Sequence, residues 1–203
     1  MKSEFDSAFK NILLPLDEDA EYIPLLTEEE EETLRKMNVP DVIPILPLRN
    51  TVLFPGVVIP ITIGRERSVK LIQDVYKKNK ILGAVAQLDP SVEEPVLKDM
   101  YRVGTVAQIL KILEMPDGST SVIIQGRKRF HLDDILTDRP YHVARISTLE
   151  EAADEPGNEA EAVAASLKDL AIKIIKLSSN ILTEATFAVK NIESPSFLIN
   201  FLS

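Results

Sequence analysis

Two short apolar runs separated by a bend dominate the first half of the chain. The runs cover residues 42–48 and 57–63, and the bend is Phe54-Pro55-Gly56. Prolines at positions 44, 47, 55 and 60 interrupt this sequence. Because proline lacks the amide donor that a strand ladder needs, it favours strand starts, sheet edges and bulges. The pattern therefore predicts short strands in a strongly bent sheet, closer to a small barrel than to an open sheet.

A helix and a buried strand are predicted next. Residues 66–80 place Val69, Ile72, Val75 and Tyr76 at helical spacing, which indicates an amphipathic helix lying on the sheet. Residues 81–88 form a short apolar run that ends at an Asp-Pro pair, as expected for a buried strand.

The clearest hairpin joins residues 103–114 to residues 120–125, with Pro116 and Gly118 suited to its turn. We expect Gly126 to end the second strand. Two more strand candidates follow, at residues 130–136 and 141–149. Six or so short strands with one helix predict an α+β fold, in which a helix packs on a bent β-sheet or pseudo-barrel.

The pattern becomes helical after an acidic stretch with Pro156-Gly157, and residues 152–158 are the predicted linker. Apolar residues then recur at alternating steps of four and three, which is typical of a helical-bundle face or, as the less favoured alternative, a coiled coil. They are Val163, Leu167, Leu170, Ile174, Leu177 and Ile181. A helical lobe is therefore predicted over residues 159–203.

The last predicted helices cover residues 183–191 and 196–203, the second with Ser194 as N-cap and Pro195 in its first turn. We expect the final helix to leave an uncovered apolar face because the lobe is truncated. That face would contain Phe197, Leu198, Phe201 and Leu202.

Charge is concentrated at the start of the chain. Residues 1–40 carry eleven acids and four bases, whereas the remainder carries 21 acids and 19 bases. Residues 1–41 are predicted to form a mostly mobile acidic arm, the less favoured alternative being a short helix capped by Thr27 and Glu30. The chain has no cysteine, starts without a signal-peptide pattern and contains no membrane-length apolar run. We expect a soluble cytoplasmic protein.

Candidate chemistry is sparse. The seven glycines are isolated, so no phosphate-binding loop is present, and His131 and His142 each stand apart from other catalytic residue types. A metal cluster of His131 with Asp133, Asp134 and Asp138 is disfavoured, because Asp134 should point away from the face shared by the first two. We predict no catalytic, cofactor or metal site in these residues, and binding rather than catalysis.

An ordered series of motifs carries a family resemblance. It begins with residues 47–56, followed by Pro60, Gly64-Arg65 and Ser68. It continues with residues 101–107, the hairpin, residues 126–130 and residues 141–151. Together these motifs resemble the LON substrate-binding domain, the amino-terminal part of ATP-dependent Lon proteases, strongly over residues 42–151 and more loosely to residue 203.

The resemblance implies a PUA-like β lobe followed by a helical lobe. It also implies a role in recognising unfolded or tagged polypeptides and in assembling a homohexamer. The parent protein would be an ATP-dependent serine endopeptidase that degrades misfolded or regulatory proteins. Its ATP and Mg²⁺ sites and its Ser-Lys dyad would lie outside these 203 residues.

Six residues are candidate contacts for a polypeptide or a neighbouring subunit. They are Arg49, Asn50, Leu53, Phe54, Phe197 and Phe201. Two alternatives stay open from the residues alone. One is a stand-alone LON-domain adaptor without a protease, and the other is an RNA-binding module that uses the basic cluster Arg127-Lys128-Arg129.

Overall fold

The computed structural model describes residues 38–115, 119–150, 158–178 and 184–203. Within these ranges it contains six strands and four α-helices. The strands are β1 (Val42–Leu48), β2 (Val58–Ile63), β3 (Ile81–Ala86), β4 (Val103–Glu114), β5 (Thr120–Thr137) and β6 (Val143–Thr148). The helices are α1 (Glu66–Tyr76), α2 (Asn158–Leu177), α3 (Glu184–Asn191) and α4 (Pro195–Leu202). The α+β class expected from the sequence is confirmed.

The strands form one mixed sheet that closes on itself. The order is β2-β5-β4-β3-β1-β6, and β6 also pairs with β5. Closure works because β5 is long: its first half pairs with β2 and its second half with β6. Five strands therefore form a ring, with β2 added outside it, as the bent, proline-interrupted pattern predicted.

Both prolines of β1 lie within the strand, between β3 and β6. The described ladder pairs β1 with β6 only over residues 42–44 and with β3 only over residues 45–48. Each half of β1 therefore has one side without a ladder partner, which accommodates Pro44 and Pro47.

Alternate residues of the strands supply two cores. One core draws on all five strands of the ring and contains Phe130, so it fills the barrel interior. Gly83 and Gly104 make room for the phenyl group of Phe130, since a Cβ on either glycine would lie within 2.8 Å of Phe130 Cζ. The other core lies on the opposite face of the strands, where α1 covers it with Leu71, Ile72 and Val75.

Gly126 does not end a strand, contrary to the prediction. β5 runs through it, and Gly126 pairs with Ala107 of β4. A Cβ at this position would lie 2.1 Å from the carbonyl oxygen of Phe54. The glycine therefore marks a close backbone approach rather than a chain break.

The helices after residue 157 share a third core that includes Val189, Ile192, Phe197 and Leu198. The predicted seam of α2 is not the packed face: Val163, Leu170, Ile174 and Leu177 are exposed, Leu177 by 80%. α2 is apolar on more than one face, and its packed residues include Ala164, Leu167, Ala171, Ile172 and Ile175. Ile181 lies outside the described residues.

The final helix also differs from its prediction. Ser194 caps it as expected, accepting a hydrogen bond from the amide of Phe197. However, Phe197 and Leu198 are buried and Phe201 is half-buried, so most of the face expected to be uncovered is already packed. α3 and α2 supply that cover within the described part of the chain.

Three predicted features fall outside the described residues: the acidic arm with its Thr27 cap, most of the linker, and the hairpin turn at Pro116 and Gly118. Among the helices that are described, none has both the length and the apolarity needed to cross a membrane.

Candidate functional site

Hydrogen bonds from two strands hold the bend between β1 and β2. The buried hydroxyl of Thr105 donates to the carbonyl of Leu53 at 2.6 Å. The Gly56 amide donates to the Gly126 carbonyl at 3.0 Å, and the Gly126 amide donates to the Val57 carbonyl at 2.9 Å. Gly56 has a φ of 79°, a conformation that glycine adopts without strain. The loop is therefore fixed against both β4 and β5.

This loop forms one wall of an open space of about 340 Å³, here called the cleft. Ala84 and Ala86 of β3 line it, together with the start of β4 and Arg129 of β5. The full lining is Val52, Leu53, Phe54, Ala84, Ala86, Tyr101, Arg102, Val103, Gly104, Thr105 and Arg129. Ala84 and Ala86 contribute small side chains to the lining, whereas the larger apolar side chains of Val52, Tyr101 and Val103 form its exposed rim.

The rim of the cleft exposes apolar surface to solvent. Val52 is 56% exposed, Tyr101 53% and Val103 49%. Single exposed apolar residues are normal on a protein surface, but a group around a concavity is typical of a binding site.

Arg129 connects the cleft to the helical part of the protein. Its guanidinium carbon lies 6.0 Å from the centroid of the Phe54 ring, within the range of a cation–π contact. Its Nη2 donates to Oδ1 of Asn200 in α4 at 2.6 Å, and Asn200 is buried. Val57, beside the bend, packs against the core of the helices. The cleft therefore lies where the strands meet α4.

The lining has the chemistry of a binding site rather than of a catalytic one. Its titratable groups are Tyr101, Arg102 and Arg129, and the hydroxyl of Thr105 is engaged by Leu53. Nucleophilic catalysis requires a nucleophile beside a general base, and the lining residues supply no such pair. Apolar surface with two guanidinium groups can bind apolar side chains, aromatic rings and anions.

The sequence-predicted contact residues are placed in three different surroundings. Leu53 and Phe54 line the cleft. Arg49 pairs with Glu93 at 2.8 Å, and Asn50 occupies an exposed turn with a φ of 53°. Phe197 and Phe201 belong to the core of the helices, with their ring centroids 6.1 Å apart.

Arg49 belongs to a set of arginines that hold the loop between β3 and β4. Arg65 donates to the carbonyl of Val92 at 3.2 Å and to Gln87 at 2.5 Å, and Arg67 pairs with Glu94 at 3.2 Å. Burial lowers the pKa of Arg65, and the nearby charge of Arg49 lowers it further. These contacts fix the loop that covers one end of α1.

His142 is buried beneath that loop. Its Nε2 lies 2.8 Å from the carbonyl oxygen of Pro95, so the proton of the neutral ring is on Nε2. Nδ1 is buried and has no hydrogen-bond partner among the described residues. Burial lowers the pKa of His142, and the positive charge of Arg67 lowers it further. The Pro95 carbonyl, Asp138 and Glu94 raise it, but their effect is smaller than the lowering.

The predicted pairing of His131 with Asp133 on one face is observed, with Nδ1 2.8 Å from Oδ1. A hydrogen bond from Ser147 and the contact with His131 lower the pKa of Asp133. In the part of the chain that the structure describes, no three potential metal ligands come together.

The basic cluster considered for RNA is divided between two internal contacts. Arg127 donates to Gln108 and its pKa is lowered by burial, whereas Arg129 faces Phe54 and Asn200. Two of its three side chains therefore contact protein groups, which weakens the RNA alternative.

Sequence reasoning missed the rim residues Val52, Tyr101 and Val103 and the arginine Arg102 as site candidates. Tyr101 to Val103 belong to one of the family motifs but are not among the predicted contact residues. Valine and tyrosine at strand starts are as typical of a core as of a surface, so no local signal distinguished them. The sequence makes Arg129 a candidate for phosphate contact, not for a cleft.

Comparison with known proteins agrees with this architecture. The model of the ATP-dependent protease La (LON) substrate-binding domain matches residues 42–203. A Lon protease of Flavobacterium johnsoniae is 54% identical over 192 residues, which are 94% of this chain and 24% of that protein. A Lon protease of Cytophaga hutchinsonii is 45% identical over 187 residues, covering 92% of this chain and 23% of its own length. The chain thus spans about a quarter of these relatives.

Two solved structures share the fold. The N-terminal domain of a Mycobacterium avium complex Lon protease superposes with a TM-score of 0.62 at 20% identity, covering 79% of this chain and 80% of that one. A Lon N-terminal domain protein from Xanthomonas campestris superposes with a TM-score of 0.53 at 19% identity. The match covers 79% of this chain and 96% of that one. The resemblance first carried by the motifs around Phe54 is confirmed, and the chain belongs to the LON substrate-binding domain family.

Proposed function

We propose that the cleft binds apolar segments of unfolded polypeptides and presents them to an ATP-dependent protease. The observation that carries this proposal is the group of exposed apolar side chains at Val52, Tyr101 and Val103 around a concavity of about 340 Å³. Leu53 and Phe54 would contact the bound chain from the loop side.

The way the cleft is built supports this role. Its walls come from a hydrogen-bonded loop and from strand residues. The cleft therefore loses little conformational entropy when a polypeptide binds. The small side chains of Ala84 and Ala86 leave room for ligand side chains of different shapes and do not impose a sequence. A site of this kind suits substrates that share exposed apolar residues rather than one motif.

The parent protein is part of the same proposal. The named relatives are Lon proteases about four times as long as this chain. We propose that the chain works within such an enzyme, a cytoplasmic homohexamer whose other modules use ATP and Mg²⁺ and carry the Ser-Lys dyad. The proposed organisation is an acidic arm at 1–41, a LON lobe at 42–151, a linker at 152–158 and a helical lobe at 159–203. Arg49 and Asn50 lie outside the cleft and stay predicted contacts for a polypeptide or a neighbouring subunit.

Binding of a permanently unfolded protein tests the cleft directly. Reduced, carboxymethylated α-lactalbumin, labelled with a fluorophore, would be titrated with the 203-residue chain and followed by anisotropy. Val52→Ser at the rim should weaken binding about fivefold, because burial of part of a valine side chain is worth about 1 kcal/mol.

Val96→Ser is the matched control, since Val96 is also an exposed valine but does not line the cleft. It should leave the affinity unchanged. Equal effects of the two substitutions, or absence of binding to the unsubstituted chain, would refute the proposal.

A further inference from the structure

We infer that the cleft prefers apolar segments that carry an acidic residue beside the apolar one. This inference rests on the proposed function, because it names the class of polypeptide that the same site selects. Its basis is the charge of the lining, which is independent of the apolar rim.

The charged side chains of the lining have one sign. Among the eleven lining residues two are arginines, Arg102 and Arg129, and none is aspartate or glutamate. A concavity with low-polarity walls strengthens the field of the charges inside it. An apolar segment with a neighbouring carboxylate is therefore complementary to the cleft, and one with a neighbouring ammonium group is not.

Arg102 is the less engaged of the two arginines of the lining. It is exposed, and among the described residues its Nη1 contacts the backbone carbonyls of Leu132 and Asp133, which lie outside the lining, at 3.4 Å each. Those distances are at the weak end for hydrogen bonds, and no side-chain ion pair joins Arg102 to another described residue. A guanidinium group has five N–H donors in a planar fork that matches a carboxylate. Arg102 therefore has donors to offer to a ligand.

Arg129 provides the second positive charge next to an aromatic surface. Its guanidinium lies over Phe54 and is held by Asn200, so its position is set before a ligand arrives. A carboxylate that approaches Arg102 also experiences this charge, whereas an apolar side chain can pack against Phe54.

The net charge of the protein opposes acidic ligands, whereas the charged side chains of the lining favour them. The chain carries −9 overall, and residues 1–40 contribute eleven acids against four bases. At physiological ionic strength exposed charges are screened over about 8 Å. A carboxylate bound against either arginine of the lining would lie within that distance of its guanidinium group, so we expect the local charge to set the preference.

Three peptides with one apolar core separate charge from hydrophobicity. Each contains Leu-Phe-Val flanked on both sides by Asp, by Asn or by Lys, with blocked termini and an uncharged fluorophore. Titration with the 203-residue chain at low salt should show the Asp peptide binding about fivefold tighter than the Asn peptide, and the Lys peptide binding more weakly than both. The differences should shrink as the salt concentration is raised from about 0.1 M to about 0.5 M, because the screening length then falls roughly twofold.

Substitution of the arginine assigns the preference to the cleft. Arg102→Gln should weaken binding of the Asp peptide about fivefold and remove most of its advantage over the Asn peptide. Arg139→Gln is the control, because Arg139 is an exposed arginine that does not line the cleft. It should preserve the preference.

Equal binding of all three peptides would overturn the charge preference and leave the proposed function standing. An Asp preference that survives in Arg102→Gln would also overturn the inference, since the selecting charge would lie elsewhere. Absence of binding for every peptide would remove the inference together with the proposed function.

Discussion

Gly126 and Thr105 determine, as single residues, how the bend beside the cleft is held. Gly126 lies against the backbone of Phe54, where a Cβ would approach the carbonyl oxygen to 2.1 Å. Thr105 donates to the preceding carbonyl, that of Leu53. The position of the Phe54 side chain therefore depends on one residue without a side chain and on one hydroxyl.

Substitution of Gly126 by alanine should destabilise the protein. The added methyl group collides with backbone rather than with a flexible side chain, so the bend must shift, at a cost of about 1–3 kcal/mol in the free energy of unfolding. Gly64→Ala is the matched control, because a Cβ at Gly64 meets no atom within 4 Å. Urea unfolding of both variants measures the difference, and equal stabilities would contradict this account of Gly126.

His142 makes the stability depend on pH. Burial lowers its pKa from the ordinary value of 6.5, so the folded protein binds this proton less readily than the unfolded chain. The stability that the neutral ring provides is complete above about pH 6.5. This stability is lost progressively as the pH falls from that value to below the lowered pKa that His142 has in the folded state.

We therefore expect the free energy of unfolding to decrease between pH 7.5 and pH 5. In His142→Gln the decrease should be smaller, since glutamine can still donate to the Pro95 carbonyl but does not take up a proton. His131→Gln, at an exposed histidine, should retain the contribution of His142. Urea unfolding at several pH values measures how the free energy of unfolding changes with pH. The same change with pH in His142→Gln and in the unsubstituted chain would show that His142 is not its source.

At the scale of elements, the cleft depends on strands that come from distant parts of the sequence. The bend after β1, the end of β3, the start of β4 and the middle of β5 all contribute to it. The hydroxyl of Thr105 ties the first of these segments to the third across 52 positions of the chain.

Thr105→Val should loosen that connection. The Leu53 carbonyl would lose its buried donor, which costs about 1–3 kcal/mol in the free energy of unfolding. Affinity for the Asn-flanked peptide should fall as well, because Leu53 and Phe54 would be less well positioned. Thr62→Val, at an exposed threonine of β2, is the control for both urea unfolding and anisotropy. Unchanged affinity in Thr105→Val would show that the tether does not shape the site.

The sequence predicts where strands and helices begin and end better than it predicts which faces and segments pack together. The bounds of β1 and β4 follow from apolar runs and turn residues, and the cap of α4 follows from Ser194-Pro195. The course of β5 could not be predicted, because a glycine that permits close backbone approach looks the same as one that ends a strand. The packed face of α2 could not be predicted either, since its leucine seam and its alanine-rich face have similar periodicity.

The cleft itself has no sequence signature. Leu53 and Phe54 belong to a recognisable motif, but Arg129 reaches the same space because β5 continues past Gly126 and pairs Arg129 with Thr105 of β4. Exposure of Val52, Tyr101 and Val103 is likewise a property of the folded chain that no local pattern indicates. Residues of this kind are identified only once the tertiary structure is known.

At the scale of the whole molecule, the cleft lies at the junction between the ring of strands and the last helix. Arg129 contacts both Phe54 at the cleft and Asn200 in α4. A polypeptide bound in the cleft therefore lies beside the connection to the helical part of the protein. This position suits a domain that receives substrate on behalf of a larger assembly.

Site-specific photo-crosslinking tests the central claim most directly. A benzophenone amino acid would replace Tyr101, at the rim of the cleft, or Tyr76, an exposed tyrosine of α1 that does not line it. After irradiation with reduced, carboxymethylated α-lactalbumin, position 101 should form a crosslinked product and position 76 should not. Absence of crosslinking from position 101, or equal crosslinking from both positions, would contradict the assignment of the cleft as the polypeptide-binding site.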